Sequence, residues 1–300
     1  MRPGLGLSVL LALFAWPGEV GAEDLPRLVV AAPETHRALA SQLEALQPRR
    51  FEAAMGLIGL ARAGTPIHVA LVTEQAPEAL AAPAWVAGYA YGALGHIVLF
   101  VERTPAYPDG SLEALLDHEV AHVLIARAAA QRPVPRWFNE GVAMVAGHAW
   151  GLADTSRLTL AVITRSETSV AELGEMFAGP SAEVTRAYAL AGAMVRDMLR
   201  RYDRDVVARV ISGLRLGLPF EEAFRHATGS SLTTFETAFW RRHTFWYRWV
   251  PLLGSSVTLW FGITMLALVA FRRRRQRDAE IRARWELDEQ LERQRAGPPN

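Results

Sequence analysis

The 300-residue sequence contains no cysteine, and all 32 of its basic residues are arginine, so lysine is absent as well. The absence of cysteine excludes disulfides, thiolate metal sites and cysteine nucleophiles. The absence of lysine excludes Schiff-base chemistry and a phosphate-binding loop that depends on lysine. A formal net charge of +1 lacks the basic excess typical of nucleic-acid binding, so we predict no nucleic-acid partner. Hydrophobic residues make up 51% of the chain, which is too many for a disordered protein.

Two segments near the ends of the chain are the most hydrophobic. Residues 1–22 combine Arg2, an apolar run and small residues that end at Ala22, which is the pattern of a secretory signal peptide. Residues 250–271 carry no charge and are long enough to cross a bilayer as a helix. We therefore predict a signal peptide at 1–22, a transmembrane helix in the lipid bilayer at 250–271 and a charged cytoplasmic tail at 272–300.

Arginines flank the predicted span unequally. Seven arginines lie within the fifteen residues after the span, and three lie within the fifteen residues before it. Basic residues favour the cytoplasmic side, which agrees with a secreted N-terminus. We expect a single-pass protein of a bacterial-type inner membrane, with residues 23–248 outside the cytoplasm, periplasmic or extracellular. Gly254, Thr258 and Gly262 would share one helix face, which permits a homo-oligomer without supporting one.

The patterning of residues 23–248 changes from strand-like to helix-like along the chain. The candidate elements are strands at 28–32, 67–72, 85–91 and 96–101 and a helix at 35–60. A further helix should begin at Leu112 with Ser111 as its N-cap. We expect an α+β fold, in which a small mixed or antiparallel sheet lobe at about 23–110 precedes a mainly helical lobe at about 111–248.

An HExxH motif, His118-Glu119-Val120-Ala121-His122, lies in this second helix. Helical residues four apart share a face, so both histidines can reach one metal ion. Glu119 falls on the same arc, which suits a general base that acts on metal-bound water. The alternative is a pair of hydrogen-bonded core histidines, because the rest of this helix is apolar almost all round.

A second carboxylate, Glu140, follows in the segment PRWFNEGVA, where its neighbours are mostly apolar. An unpaired buried carboxylate is costly, so a buried Glu140 needs a cation. Two histidines and a glutamate form a known catalytic zinc set that leaves a fourth position for water. The alternative is an exposed Glu140 near a helix start, where its charge suits the helix dipole.

The two motifs together resemble those of the gluzincin zinc metallopeptidases. HEVAH followed by PRWFNEGVA is most similar to the peptidase-MA-like domains, strongly over about 112–147 and more weakly to about Arg242. The resemblance implies a thermolysin-like zincin core with one Zn²⁺ per chain. The zinc would be bound by His118, His122 and Glu140. Glu119 would act first as the base and then as the acid.

The resemblance also identifies candidates for stabilising the oxyanion. Family members use a tyrosine or a histidine of the helical lobe for this purpose. Tyr188 is our catalytic candidate because its A-Y-A-L-A segment matches the family, and His148 and His226 are competitors. Met144 departs from the thermolysin-like pattern, in which an aspartate at this position orients a histidine. The partner of His118 is therefore not predicted.

A cleft strand is a further implication of the resemblance. The strand at 96–101 would line the cleft and pair with an extended peptide, which would bring Phe100 or Val101 close to the substrate.

The sequence therefore predicts a membrane-anchored, extracytoplasmic zinc metallopeptidase that acts on peptide or protein substrates by Glu-assisted attack of zinc-bound water. One alternative is a non-catalytic membrane-anchored scaffold with a zincin fold. The intact Glu119 argues against it, because a scaffold does not need a base. The other alternative is a zinc hydrolase that acts on a non-peptide amide, such as cell-wall material.

Overall fold

The computed structural model describes residues 22–46, 48–103, 108–147, 151–163, 167–253 and 260–277. The chain divides into two compact units, Met1–Trp240 and Arg241–Asn300. The strands are β1 (Leu28–Ala31), β2 (Ile67–Val72), β3 (Gly88–Tyr91) and β4 (His96–Phe100). The helices are α1 (Arg37–Glu44), α2 (Glu52–Ile58), α3 (Pro77–Ala81), α4 (Leu112–Ala128), α5 (Arg136–Gly147), α6 (Leu152–Ile163), α7 (Val170–Met176), α8 (Ser181–Arg201), α9 (Val206–Arg215), α10 (Phe220–Thr228) and α11 (Leu232–Leu253).

The four strands form one mixed sheet in the order β1-β2-β4-β3. The first three strands in this order are parallel, and β3 is antiparallel to β4, with Tyr91 opposite His96. Gly95 adopts a φ of 67° in the turn between these two strands, a conformation that favours glycine. The prediction of an α+β fold with a small mixed or antiparallel sheet followed by a mainly helical part is confirmed, and of the two alternatives the sheet is mixed. The sheet also has a definite edge at β3, because β4 lies between β2 and β3.

Helix α4 begins where the sequence predicts. Ser111 caps it, and its Oγ accepts a hydrogen bond of 3.1 Å from the backbone N–H of Ala114. Most of the helix is buried, including Leu116, Val120 and Leu124, each of which is almost fully inaccessible to solvent. The helix that carries the HExxH motif is therefore a core element held on several sides, which gives the motif a rigid support.

Helix α5 packs very closely against α8. A Cβ built at Gly141 would lie 2.5 Å from the carbonyl oxygen of Ala191 and 2.7 Å from a methyl group of Val195. Only a residue without a side chain fits this approach, which explains the glycine that follows Glu140 in the sequence. Glu140 thus enters the interior on a helix whose position is set by backbone-to-backbone contact.

The predictions for two elements need correction. The expected helix at 35–60 is divided into α1 and α2, with Pro48 in the segment between them. Proline has no N–H to donate and its ring clashes with the preceding turn, so it interrupts a helix. The expected strand at 85–91 begins only at Gly88, because the N–H of Val86 donates to the carbonyl of Pro83 in a turn.

The prediction of a transmembrane helix at 250–271, and with it of a single-pass inner-membrane protein, is wrong. Among the residues that the structure describes, no helix is both long enough and apolar enough to cross a membrane. Helix α11 contains three arginines before it ends at Leu253. The described helix at 260–277 offers only the twelve uncharged residues 260–271 before its arginines, against the roughly 20 that a bilayer core requires. Residues 254–259 lie outside the described residues.

Other predictions concern residues that the structure does not describe. The signal peptide predicted at 1–22 lies outside the described residues except for Ala22, and no observation supports it. Residues 278–300 of the predicted tail and His148 also lie outside the described residues.

Candidate metal centre

Helices α4 and α5 bring the three predicted ligands together. Nε2 of His118 lies 3.0 Å from Nε2 of His122, and each of these nitrogens lies 3.3 Å from Oε2 of Glu140. His118 and Glu140 are buried and His122 is half-buried. Within the described structure, Oε2 of Glu140 has no hydrogen-bond donor. Three potential ligand atoms thus converge on one point, an arrangement that can hold a metal ion.

The pKa values of these groups reflect their burial and their closeness. Burial lowers the pKa of His118, but the Glu140 carboxylate and the charge of Asp109 outweigh burial and raise the pKa to about 9. Burial raises the pKa of Glu140, but the imidazoles of His122 and His118 outweigh burial and hold the pKa well below its usual value. The site therefore combines a carboxylate that stays ionised with two imidazoles that attract protons. A metal ion must displace these protons in order to bind.

The remaining ring nitrogens of the two histidines face groups that the sequence analysis missed. Nδ1 of His122 lies 3.2 Å from Oδ1 of Asn139, and Nδ1 of His118 lies 3.7 Å from Oδ1 of Asp109. Partners of this kind orient imidazole ligands and select the tautomer that leaves Nε2 free for a metal. In the thermolysin-like pattern, an aspartate at the position of Met144 would orient a histidine. Here Met144 is buried and apolar, and Asp109 is the carboxylate that lies beside His118. Only Asn139 had a sequence signal, because it directly precedes Glu140.

Glu119 and Tyr188 lie in the same cleft as the three candidate ligands. Burial raises the pKa of Glu119, against the opposing charges of His122 and His118. The ring of Tyr188 lies 6.1 Å from the ring of His118 between centroids, edge to face. Burial, together with the charges of Glu140 and Glu119, raises the pKa of Tyr188 well above its usual value, so its hydroxyl keeps its proton.

The competing histidine His226 does not lie at this site. It is exposed on α10, where its Nε2 lies 3.9 Å from a carboxylate oxygen of Glu222, and it does not line the cleft. Of the candidates for stabilising an oxyanion that the structure describes, Tyr188 is thus the one that lies beside the ligands.

The cleft has a volume of about 570 Å³ and lies between β3 and the helices. Residues 85–90 line the strand wall of the cleft, and residues of α4, α5 and α8 line its helical wall. Phe100 and Val101 do not line the cleft, and Phe100 is fully buried. The predicted contact of these two residues with substrate is therefore not supported. The strand beside the cleft is β3, because β4 is internal to the sheet.

Comparison with known proteins agrees with this geometry. A family model described as the Peptidase MA superfamily matches residues 61–245, which include the sheet from β2 onward and all five residues predicted for the site. No curated protein matches the chain significantly. The match confirms the resemblance to peptidase-MA-like domains that the two motifs indicate.

Proposed function

The chain belongs to the Peptidase MA superfamily, and from this premise we propose that it is a zinc-dependent peptidase. In this proposal, His118, His122 and Glu140 bind one zinc ion. The bound zinc would polarise the scissile carbonyl and lower the pKa of the attacking water.

The observation that carries this proposal is the spacing of the three ligand atoms. Ligands bound tetrahedrally at about 2.0–2.1 Å from zinc lie about 3.3–3.4 Å from one another. The three observed separations are 3.0, 3.3 and 3.3 Å. The donor set of two imidazoles and one carboxylate is one that catalytic zinc sites use, with a fourth position left for water or substrate.

Glu119 is the proposed general base. It directly follows His118 on α4, lines the cleft and is buried. Its raised pKa brings the carboxyl group closer to the range in which it can accept and return a proton near neutral pH. Glu119 would take a proton from the attacking water and deliver it to the leaving amine.

Tyr188 is the proposed donor to the oxyanion. A donor aimed at the charge that develops in the transition state stabilises it more than it stabilises the substrate. The raised pKa of Tyr188 keeps its hydroxyl protonated, and a protonated hydroxyl can donate. We expect Tyr188→Phe to lower kcat by about a hundredfold and to leave the zinc content unchanged. An unchanged kcat would remove Tyr188 from the mechanism.

Strand β3 is the proposed docking strand for an extended peptide. It is the edge of the described sheet next to the cleft, and Gly88, Tyr89 and Ala90 all line the cleft. Edge strands bind peptides through backbone hydrogen bonds that do not depend on side-chain identity. Its position beside the metal centre supports a peptide substrate over a compact non-peptide amide.

The test is Glu119→Gln in the full chain. The variant should keep one zinc per chain but lose about a hundredfold or more of its hydrolysis of a fluorescently quenched unfolded protein. Glu113→Gln is the matched control, because Glu113 lies on the same helix with an exposed side chain, and it should keep full activity.

Undiminished turnover by the Glu119 variant would refute the mechanism. If the zinc-loaded parent protein cleaves no protein, the scaffold alternative is favoured. If it cleaves only cell-wall fragments, the non-peptide hydrolase is favoured.

A further inference from the structure

The charged side chains that line the cleft fall into two groups. The acidic group consists of the candidate ligand Glu140 and its neighbours Asp109 and Glu119. Arg132 and Arg136 lie on the turn that follows α4 and at the start of α5. The acidic residues belong to the metal centre, where Asp109 and Glu140 lie next to the histidines. The two arginines have no role in the proposed mechanism, although both face the space that a substrate would enter.

The turn that carries Arg132 has an unusual backbone. Ala130 and Gln131 adopt φ values of 51° and 61°, in the left-handed region that residues other than glycine rarely adopt. The N–H of Gln131 donates to the carbonyl of Ala126 at 2.8 Å and closes the end of α4. Gln131 and the residue that follows it, Arg132, both line the cleft. Strained turns of non-glycine residues concentrate at ligand-binding sites, where the strain serves to present side chains.

The surroundings of the two arginines differ in a useful way. The guanidinium carbon of Arg136 lies 5.2 Å from the centre of the Phe177 ring, and its Nε lies 3.9 Å from Oε1 of Glu140. The ring orients this guanidinium next to the metal centre. Arg132 is exposed, and its guanidinium lies near Gly217, where an added Cβ would meet it at 3.7 Å. In the part of the chain that the structure describes, it forms no ion pair, so its donors are available to a ligand.

We propose that Arg132 and Arg136 form a subsite that binds a carboxylate of the substrate, either the free C-terminus or an acidic side chain. The inference rests on the proposed peptidase function and specifies the class of substrate. Guanidinium groups bind carboxylates through two parallel hydrogen bonds, which gives both affinity and orientation. Nε of Arg136 lies 3.9 Å from Oε1 of Glu140, so a carboxylate bound by this guanidinium lies close to the metal centre.

The experiment measures binding without turnover, on the zinc-loaded Glu119→Gln protein. The probes are fluorescein-labelled hexapeptides of one neutral sequence: an amidated form, a form with a free C-terminus, and amidated forms with glutamate at each position in turn. Fluorescence anisotropy should show at least about tenfold tighter binding of one or more carboxylate-bearing peptides than of the neutral amide. The free-acid peptide and the glutamate peptides distinguish the two sources of the carboxylate. Added salt should reduce the preference, because it screens charge pairs at an exposed site.

Two substitutions then assign the preference to the arginines. Arg132→Gln should remove most of it, and Arg132→Gln combined with Arg136→Gln should abolish it. Arg204→Gln is the matched control, because Arg204 is exposed and does not line the cleft, and it should keep the preference. Zinc content is measured in every variant, because Arg136 lies close to the zinc ligand Glu140 and its substitution could affect zinc binding. Arg132→Gln tests the proposal at a residue that, in the described part of the chain, has no ion pair with Glu140.

The outcomes separate this inference from the proposed function. Equal binding of neutral and acidic peptides, or a preference that survives the double substitution, overturns the carboxylate subsite and leaves the peptidase proposal standing. Failure of every peptide to bind the zinc-loaded protein overturns both.

Discussion

The helical wall and the strand wall of the cleft are held in place by different interactions. On the helical side, α5 lies so close to α8 that only glycine fits at position 141. On the strand side, the segment that leads into β3 is anchored by Arg103, whose five N–H groups are all hydrogen-bonded. The acceptors are both carboxylate oxygens of Glu74 and the carbonyls of Ala79, Pro83 and Val86, at 2.7–3.1 Å.

This difference separates two requirements of a peptidase. The metal ligands lie on densely packed helices, where a small displacement costs contacts on every side. In the strand wall, β3 is paired with β4, and the segment before it is anchored by Arg103 and contains the half-exposed Trp85 at the cleft. We therefore expect changes on the helical side to affect folding and metal binding. Changes on the strand side should mainly affect substrate binding.

The largest effect is expected from Gly141→Ala. The new Cβ would overlap the Ala191 carbonyl oxygen, so the helices must separate, and the free energy of unfolding should fall by about 3 kcal/mol or more. Gly174→Ala is the matched control, because Gly174 lies in helix α7 and a Cβ added there would meet no atom within 4 Å. That change should stabilise the protein by about 0.5–1 kcal/mol. Urea unfolding measures both, and equal effects would contradict the packing account.

A smaller effect is expected from the residues that orient the histidines. Asn139→Ala should lower zinc affinity by about 10- to 100-fold, because His122 loses the partner of its Nδ1. Asp109→Ala should act in the same direction but more weakly, since its oxygen lies 3.7 Å from His118. Competition with a chelator measures the affinity. Thr185→Val, a change at a polar residue elsewhere in the cleft, should leave it unchanged, and a loss of the same size there would refute the assignment.

Substitution of Arg103 by lysine tests the strand wall. An ammonium group cannot reproduce a planar fork with five donors, so the segment before β3 should shift. We expect kcat/KM for peptides to fall by about tenfold, mainly through KM, which is less than the hundredfold cost of misplacing the reacting groups. Zinc content should stay at one per chain. A fall in kcat with unchanged KM would show that Arg103 instead supports the metal centre.

The smallest effect is expected from Asp203→Asn, which removes a forked ion pair with Arg209 at the surface. Both contacts measure 2.9 Å, and the hydrogen bonds from Arg209 lower the pKa of Asp203. A lowered pKa contributes stability above the unfolded value of about 3.9, and this contribution is lost as the pH falls through the folded value. Parent and variant should therefore differ slightly in melting temperature at pH 7 and converge at low pH. A difference that grows on acidification would contradict the sign.

Local patterns predict well where the physics is local. Ser111 caps α4 as predicted because its hydroxyl needs to reach only three residues along the chain. The facing of His118 and His122 follows from helical geometry alone. The strand order cannot be predicted in this way, since hydrophobic alternation does not state which strand lies at an edge. The resemblance to peptidase-MA-like domains implies the strand at 96–101 for peptide binding, although the edge of the described sheet beside the cleft is β3. Apolar length also misleads at 250–271, where the described helices do not meet the requirement for a membrane span.

The sequence by itself determined the donor set of the site, because it lacks cysteine and places two histidines four residues apart on one helix with a glutamate 18 residues later. Only the tertiary structure decided that Glu140 meets both histidines, because this depends on how α5 packs against α4. It also decided that Asp109 faces His118 and that two arginines flank the cleft. The physical reason is distance along the chain: a helix relates residues four apart by its own geometry, whereas residues on separate elements meet only when the core packs.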